Sequence, residues 1–358
     1  MEPLSSAHAA AARRSLLRWY RRQSRALPWR TSRSPYMVWL SEVMLQQTQI
    51  ETVIPFYQRF LREFPSVEHL ARAPLERVLE LWSGLGYYRR ARNLHRAAQE
   101  LMEKHQGQFP AEMAQARTLP GVGDYTARAV LSIAYNQPFA VLDGNVARVM
   151  ARVLALRGSL PQPEFRRKVE KGLVLLLSRR SPGNFNQAMM ELGQTICLPR
   201  SPRCSICPVQ RWCRGFKVRR PETFPDAKLR RKAEEWHMAV AILHKNRRVM
   251  LVRGLDDGLL DDLWNFPSAL GKSSLEALRL LREKLNSLLG ATPSLRGPSY
   301  ELRHHITYRS IQVFVYKGFL PGNAPEERSR WIEPRLVERA AVSQLTRKIA
   351  RKIDARRS

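Results

Sequence analysis

All four cysteines of this chain lie in one short segment near its middle. They are Cys197, Cys204, Cys207 and Cys213, and six, two and five residues separate them. A disulfide-stabilised protein spreads its cysteines to close several loops, whereas four thiols in one proline-containing loop can reach a single metal centre. The sequence therefore predicts a loop held together by a metal centre. Because such thiols must stay reduced, we expect a cytoplasmic protein.

The spacing of the thiols indicates which metal they hold. Four thiolates suit either zinc or an iron–sulfur cluster. Structural zinc sites usually contain two CxxC pairs, but only Cys204 and Cys207 form such a pair here. Wider and unequal gaps are compatible with four cysteines around a cubane. We therefore favour one [4Fe–4S] cluster over zinc, and favour either over four structural thiols without a metal.

The excess of basic residues indicates a polyanionic partner. The chain has 61 Lys and Arg residues against 31 Asp and Glu residues, which gives a formal net charge of +30. Each phosphate that Lys or Arg neutralises releases counterions, and this favours nucleic acid binding. Charge alone would also suit RNA, an anionic membrane or a generally basic surface. Because we find neither a signal peptide nor an apolar stretch long enough to cross a bilayer, we expect no membrane partner.

The chain changes character after about residue 215. Before it, apolar residues recur at helical spacing between Pro and Gly signals. The predicted helices lie around 36–62, 67–82, 89–104, 124–135, 144–156, 164–178 and 184–195. A basic stretch with two prolines, 216–232, predicts a linker.

The part after the linker predicts strands. The β-branched and aromatic segments WHMAVAILH, RVMLVRG, LRHHITYRS and IQVFVYKGF have strand composition. SSLEALRLLREKLNSLLG predicts a helix between them, and a second helix is expected near Glu333. The end, TRKIARKIDARRS, is a basic tail that is either helical or disordered.

Two glycines mark a candidate phosphate-binding turn. In LPGVGDYTARAV (119–130), Gly121 and Gly123 permit a tight turn, and a helix should begin at or near Asp124. The unpaired N–H groups at such a helix start favour a phosphate. An ordinary connection between two helices is the alternative.

Two acidic residues are candidates for chemistry. Asp143, in LDGNVARV, lies at a predicted helix start, where capping the helix is the commonest role of Asp. Glu42, in WLSEVMLQQTQ, has apolar neighbours on both sides. A carboxylate in such a setting is costly unless it is paired, and burial would raise its pKa. The alternative for Glu42 is an exposed position on an amphipathic helix.

These segments together resemble the helix–hairpin–helix DNA glycosylases that carry an iron–sulfur loop, and within them the MutY-type adenine glycosylases. The segments that carry the resemblance are LPWR (27–30), SEVMLQQTQ (41–49), GLGYYRRARNL (84–94), LPGVGDYTARAV, LDGNVARV, the cysteine loop and GLLDDLWNFP (258–267). The resemblance implies a mainly α first half with two helical subdomains and an α+β, MutT-like (Nudix-like) second domain. The implied boundaries are 1–215 for the glycosylase region, 216–232 for the linker, 233–345 for the second domain and 346–358 for the basic tail.

The resemblance also implies roles for the acids. Glu42 would protonate adenine at N7 and later help to activate water. Asp143 would stabilise the positively charged sugar, either electrostatically or by transient covalent attachment. Bifunctional relatives have a Schiff-base lysine where this chain has Tyr125, so the resemblance implies a monofunctional enzyme. Tyr125 and Asn145 would orient the reacting groups. Lys104 lies outside the matching motif.

Further DNA contacts are implied by the same resemblance. Trp29 and Arg30 would form the adenine pocket, although a buried Trp beside a surface Arg is the alternative. The segment that fills the space left by the flipped base would be Gln46, Gln47 and Thr48. Additional expected contacts are Leu85 and Tyr87 as a wedge at the opposing base, Gly121 and Gly123 at a phosphate, Gln187 near the pocket, and Arg200, Arg203 and Arg211 on the cysteine loop. Glu191 is expected to be structural.

The second domain is expected to be a recognition module without hydrolase activity. The acids that hold magnesium in working Nudix enzymes are absent from the stretch that begins at Arg282. The loop that checks the oxidised guanine in the family corresponds here to Arg303, His304 and His305, and only His305 agrees with the family pattern.

We therefore predict a base excision repair enzyme that acts as a monomer on double-stranded DNA with adenine opposite 8-oxoguanine or guanine. Two alternatives remain at this stage. One is a glycosylase of the same superfamily with another substrate, such as mismatched thymine. The other is a cluster-containing DNA-binding protein without catalysis.

Overall fold

The computed structural model describes residues 5–227, 233–254, 263–290, 293–306, 308–319 and 328–354. Part of the GLLDDLWNFP segment, 258–262, lies outside the described residues. The chain divides into two units, one made of residues 1–73 and 92–229 and the other of residues 74–91 and 230–358. The domain boundaries expected from the sequence stay a prediction. No described helix has the length and apolar character needed to cross a membrane.

The first unit is helical. Its helices are α1 (Ser6–Gln23), α2 (Pro35–Leu45), α3 (Ile50–Glu63), α4 (Val67–Arg72), α6 (Arg89–His105, which begins in the second unit), α7 (Met113–Ala116), α8 (Asp124–Ile133), α9 (Gly144–Leu154), α10 (Pro163–Leu176), α11 (Pro182–Thr195) and α12 (Arg214–Lys217). Helix α5 (Leu75–Trp82) belongs to the second unit. The expected helical first half is confirmed.

Two groups of helices build the cores of the first unit. Helix α2 packs against α3 and α8, and its residues Trp39, Leu40 and Met44 are fully buried. Helices α1, α9, α10 and α11 enclose a second core around residues such as Leu16 and Phe185. Helix α2 is apolar on nearly every side because it is buried on nearly every side.

Two of the predicted helices are interrupted. The predicted helix 36–62 breaks between α2 and α3, where Gln47 adopts a positive φ of 56°. The predicted helix 67–82 breaks at Ala73, because Pro74 disfavours helical geometry in the residue before it. Apolar spacing continued through both breaks, so it could not reveal them.

Residues after α12 still contact the first unit. Phe224 is buried in its core, and Arg152 Nε donates to the Phe224 carbonyl at 3.1 Å. The backbone N–H of Gly158 donates to Asp226 Oδ2 at 2.8 Å. The part of the predicted linker up to Asp226 is therefore held against the helices.

The second unit is an α+β fold. Its strands are β1 (Glu234–Lys245), β2 (Arg248–Val252), β3 (Ser268–Gly271), β4 (Leu295–Ile306), β5 (Arg309–Phe319) and β6 (Ser329–Ile332), and its longer helices are α13 (Ser274–Leu289) and α14 (Gln344–Asp354). The strand order is β4-β5-β1-β2-β6, with β3 paired to β1. Strands β1 and β5 are parallel, and the other pairs are antiparallel. The α+β prediction is confirmed, and the MutT-like resemblance stays a prediction.

Both faces of the sheet are covered. Leu281 and Leu285 of α13 pack on one face, and Leu345, Ile349 and Ile353 of α14 pack on the other. The described part of the predicted basic tail, up to Asp354, is thus an amphipathic helix whose apolar side completes a core. The helix expected near Glu333 is instead a 3₁₀ helix at Pro334–Arg339. The short strands β3 and β6 were not predicted, because four residues carry too little periodicity.

Candidate active site

A cavity of about 800 Å³ in the first unit brings most of the predicted site residues together. They come from the segment before α2, from α2 and the turn after it, and from α8, α9 and α11. The predicted residues that line the cavity are Trp29, Arg30, Glu42, Gln46, Gln47, Thr48, Tyr125, Asp143, Asn145 and Gln187. Residues distant in sequence therefore meet at one concave site of the size typical for ligand pockets.

Glu42 is a buried acid on the wall of this cavity. It lies on α2 and is only 6 % exposed, so the alternative of an exposed glutamate is wrong. Burial is the main cause that raises its pKa to about 7, and the negative charge of Asp143 raises it further. The Tyr125 hydroxyl donates to Glu42 Oε2 at 3.0 Å and opposes this rise. Glu42 can therefore carry a proton near neutral pH.

Tyr125 remains a hydroxyl donor. Burial and the nearby charges of Glu42 and Asp143 hold its pKa well above the ordinary value of 10. It lies in the first turn of α8, after Gly123, which is the N-cap residue of that helix. Its phenol therefore stays protonated at neutral pH and can donate its hydrogen bond to Glu42.

Asp143 caps a helix and also faces the cavity. Its Oδ1 accepts from the Val146 N–H at 2.6 Å, at the N-terminus of α9. Its Oδ2 accepts from Asn145 Nδ2 at 3.1 Å. The capping role and the site role are thus compatible, because the positive helix end and the amide stabilise the carboxylate where it lines the cavity.

Arg148 connects this carboxylate to the cysteine loop. Its Nη2 donates to Asn145 Oδ1 at 2.9 Å and to the Gly193 carbonyl at 2.8 Å. Its Nε donates to the Cys197 carbonyl at 2.9 Å. One guanidinium therefore joins α9, α11 and the cysteine loop, and it orients Asn145 beneath Asp143.

Arg30 is held in place by a buried acid. Its Nη2 lies 2.7 Å from Glu191 Oε2, and Arg25 Nε lies 2.7 Å from Glu191 Oε1. The Glu191 side chain is 1 % exposed and that of Arg30 is 14 % exposed, so the alternative of a surface arginine is wrong. Trp29 is buried and packs edge-on against Tyr57. Glu191 contacts the pocket arginines and is not itself part of the cavity wall.

Other predicted residues are not among those that line the cavity. Gly121, with φ of +76°, and Gly123 form the turn before α8. Leu85 and Tyr87 belong to the second unit, where Leu85 is buried and Tyr87 is 44 % exposed with φ of +50°.

The predicted opposing-base segment of the second unit lies on strand β4. His305 is exposed and His304 is half-buried. Burial, the main cause, lowers the pKa of His304 to about 4.

Several lining residues were missed by sequence reasoning. They are Arg25, Arg148, Met190 and Gln194. Only Arg148 had a usable signal, since it follows Asn145 by three residues on the same helical face. The others approach the site through packing between distant helices.

The four cysteines line a second, small cavity of about 20 Å³. All four thiols are free, and Arg152 Nη1 donates to Cys197 Sγ at 3.3 Å. Within the described residues, no three Cys, His, Asp or Glu side chains are placed to hold one metal ion. All four thiols nevertheless line one cavity, and four cysteine thiolates are the donor set of an iron–sulfur cluster. Without metal, burial raises the pKa of Cys207 to about 12, so metal binding must displace its proton.

Comparison with known proteins shows which family this chain belongs to. Residues 40–173 match the family model of the HhH-GPD superfamily of base excision DNA repair proteins, and residues 197–213 match the iron–sulfur binding domain of endonuclease III. Adenine DNA glycosylases of Mus musculus and Homo sapiens are both 35 % identical to this chain over 96 % of its length, and the matches cover 78 % and 74 % of those proteins. This chain belongs to the adenine DNA glycosylase family. Its cysteine segment is an iron–sulfur binding loop.

Solved structures agree with this family on the fold. A thermostable thymine-DNA glycosylase matches with a TM-score of 0.55 and 24 % identity, covering 60 % of this chain and all of that one. A trapped endonuclease III–DNA covalent intermediate matches with a TM-score of 0.51 and 24 % identity, covering 61 % of this chain and 99 % of that one. At this identity they support the helical fold of this adenine DNA glycosylase family member and nothing finer.

Proposed function

We propose that this chain is a monofunctional adenine DNA glycosylase that acts as a monomer on double-stranded DNA. It hydrolyses the bond between deoxyribose and an adenine opposite 8-oxoguanine or guanine, and leaves an abasic site. The observation that carries the proposal is the pairing of Glu42, whose pKa is about 7, with the hydrogen-bonded carboxylate of Asp143 at one cavity. The similarity to adenine DNA glycosylases supports adenine as the base.

The substrate base must leave the duplex to reach these groups. Extrusion of a nucleotide costs a few kcal/mol, and a pocket with a stacking face and planar donors offsets that cost. Trp29 and Arg30 offer these features on the cavity wall, and Glu191 keeps the Arg30 guanidinium in one orientation. Gln46, Gln47 and Thr48 lie at the same cavity, where they can occupy the space that the base vacates.

The two acids have different tasks. Protonated Glu42 donates its proton to adenine N7, which makes the base a better leaving group. Ionised Asp143 stabilises the positive charge that develops on the sugar, as paired carboxylates do in sugar hydrolysis. Opposite protonation states require different environments. The two acids have them here, because Glu42 is buried whereas Asp143 caps the N-terminus of a helix.

Absence of an amine at the site supports hydrolysis without strand cleavage. Tyr125 occupies the position at which bifunctional relatives have a lysine, and its phenol cannot form a Schiff base. Within the described part of the chain, no lysine lines the catalytic cavity. The sugar therefore has no neighbouring amine with which to form an imine.

The cysteine loop holds a [4Fe–4S] cluster in this proposal. The unequal spacing of Cys197, Cys204, Cys207 and Cys213 and their shared cavity support it. When bound, the cluster supplies a rigid cross-link of the loop and no chemistry on the base. Arg200, Arg203 and Arg211 are exposed on this loop, where they can meet phosphates. Purified protein should contain about four irons and four sulfides per chain; zinc in their place would contradict the assignment.

The decisive test of the function is a substrate panel. Duplexes with A opposite 8-oxoguanine, A opposite G, T opposite G and an oxidised pyrimidine are incubated with the protein, with and without alkali. We expect breaks at adenine only after alkali.

Glu42→Gln and Asp143→Asn should abolish base release and retain DNA binding, and His305→Ala should lower the preference for 8-oxoguanine. Breaks without alkali, or release of thymine alone, would exclude the proposal.

A further inference from the structure

One arginine of the first unit is buried beside the cysteine loop without a carboxylate partner. Arg152, on α9, is 2 % exposed and lines the small cavity that the four cysteines share. Among the described residues, no Asp or Glu side chain forms an ion pair with it. Arginine is almost never fully buried unless it is paired, because an isolated buried charge is costly. The charge of Arg152 therefore calls for a partner other than a protein carboxylate.

Backbone carbonyls hold the guanidinium of Arg152 in one orientation. Its Nε donates to the Phe224 carbonyl at 3.1 Å, its Nη1 to the Leu198 carbonyl at 2.6 Å and its Nη2 to the Pro199 carbonyl at 2.9 Å. A carbonyl oxygen accepts a hydrogen bond but carries no net charge. These contacts fix the position of the positive charge without neutralising it.

The same guanidinium reaches one of the cysteine sulfurs. Nη1 of Arg152 also donates to Cys197 Sγ at 3.3 Å. Arg148, one turn earlier on α9, donates to the backbone carbonyl of Cys197 instead. Of these two arginines, Arg152 is therefore the one whose charge lies directly against a ligand sulfur.

A bound iron–sulfur cluster supplies the negative charge that Arg152 lacks. Four thiolates outweigh the positive charge of the proposed [4Fe–4S] core, so the bound group is an anion. A buried cation stabilises the reduced, more negative form of such a group more than the oxidised form, because the attraction grows with charge and is poorly screened away from water. Net charge and hydrogen bonds to the sulfurs are both determinants of a cluster's reduction potential.

We propose that Arg152 is the counter-charge of the iron–sulfur cluster and raises its reduction potential. The positive charge causes the shift, and the three carbonyl contacts keep that charge at Cys197. Arg152 does not line the catalytic cavity. The inference rests on the cluster of the proposed function and not on the chemistry proposed at adenine.

Voltammetry of full-length, cluster-containing protein without DNA tests this inference. The electrode supplies the single electron that reduces the cluster, and iron content is measured on the same samples. Arg152→Lys keeps the positive charge but loses the planar fork that binds the carbonyls, whereas Arg152→Gln and Arg152→Met lose both. Lys217→Gln, which removes one exposed positive charge from α12, is the matched control.

We expect the two neutral variants to have a lower reduction potential. At a fixed electrode potential, the ratio of reduced to oxidised cluster should fall about tenfold, which is a shift of about 59 mV for one electron. Arg152→Lys and Lys217→Gln should stay within about threefold of the wild-type ratio, because the first keeps the buried charge and the second removes only a solvent-screened one. If the neutral variants retain no iron, we expect Arg152→Lys to retain it.

Two outcomes would overturn the inference alone. One is an equal potential in the wild type and the neutral variants. The other is an equal fall in potential, or an equal loss of iron, in Arg152→Lys and the neutral variants, because the carbonyl contacts and not the charge would then be what matters.

Failure of the proposed function gives different results. Zinc in place of iron in the wild-type protein would contradict the proposed cluster and this inference together. A wild-type protein that releases no adenine, with the potential lowered in the neutral variants, would contradict the proposed chemistry and support this inference.

Discussion

At the scale of single residues, the proposed chemistry depends on the protonation of one buried acid. Glu42 has a pKa of about 7 because its carboxyl is desolvated and lies near the negative Asp143. Tyr125 opposes the shift through one hydrogen bond. A general acid with a pKa near the working pH is both protonated and able to give up its proton.

Base release should therefore fall at alkaline pH. We expect the single-turnover rate of adenine release to be constant below about pH 6 and to fall about tenfold per pH unit well above pH 7. Measurement from pH 5.5 to 9 on one duplex checks this. A rate that rises through pH 9 would exclude Glu42 as the proton donor.

The same pKa has a consequence for stability. Glu42 titrates near 4.5 when unfolded and near 7 when folded, so the native state binds the proton more tightly. The raised pKa favours the folded state at acidic pH, and the cost of burying the charge grows as the pH rises from about 4.5 to 7. Above pH 7 that cost is about 3 kcal/mol.

Glu42→Gln should thus stabilise the protein while it removes activity. The gain in unfolding free energy should be about 2 kcal/mol larger at pH 8 than at pH 5.5, because glutamine carries no charge. Urea unfolding of both proteins at the two pH values measures this. The exposed substitution Glu51→Gln is the control, and an equal gain at both pH values would contradict the assigned pKa.

At the scale of elements, the close approach of α9 and α11 positions the carboxylate of Asp143. Gly193 of α11 lies against the N-terminal turn of α9, and a Cβ added there would be 2.7 Å from Asn145 Cβ. The same turn carries Asp143 and is tied by Arg148 to the Gly193 carbonyl. This contact leaves no room for a side chain at the helix crossing.

Gly193→Ala should move the N-terminus of α9 and misplace Asp143. We expect base release to fall about 100-fold, since displacements of about 1 Å have effects of that size. Single-turnover kinetics measure the loss, and far-ultraviolet circular dichroism checks the fold. Gly271→Ala, where an added Cβ would lie 2.6 Å from the Ala277 backbone nitrogen in the second unit, is the matched control. Equal rates for both variants would show that this crossing does not position Asp143.

At the scale of the whole molecule, we expect positive charge to dominate the binding of DNA. The chain has a net charge of +30, and exposed arginines occur on the cysteine loop and on α1. Release of counterions from DNA makes such binding steeply dependent on salt.

The affinity for duplex DNA should fall strongly with ionic strength. If about six to ten phosphates are contacted, we expect a loss of about 10³–10⁵ in affinity between about 50 and 200 mM salt. Fluorescence anisotropy with a lesion-free duplex measures this dependence. A log–log slope near zero would show that phosphate contacts contribute little.

Much of the site was predictable because short motifs carry its chemistry. The cysteine spacing indicated a cluster loop, and a carboxylate among apolar residues of one helix indicated Glu42. The helices were predicted from their periodicity, except where a positive φ at Gln47 or a proline at position 74 interrupted them. Strands β3 and β6 were too short to show a period.

By itself, the sequence determined the family and the four thiols of the iron–sulfur loop, and it indicated two candidate acids, because these depend on residue type and local spacing. Only the tertiary structure decided that Glu42 is buried and bonded to Tyr125, 83 residues away, and that Arg30 is held by Glu191, 161 residues away. Burial and pairing at such separations arise from helix packing, and they set the protonation states on which the chemistry depends.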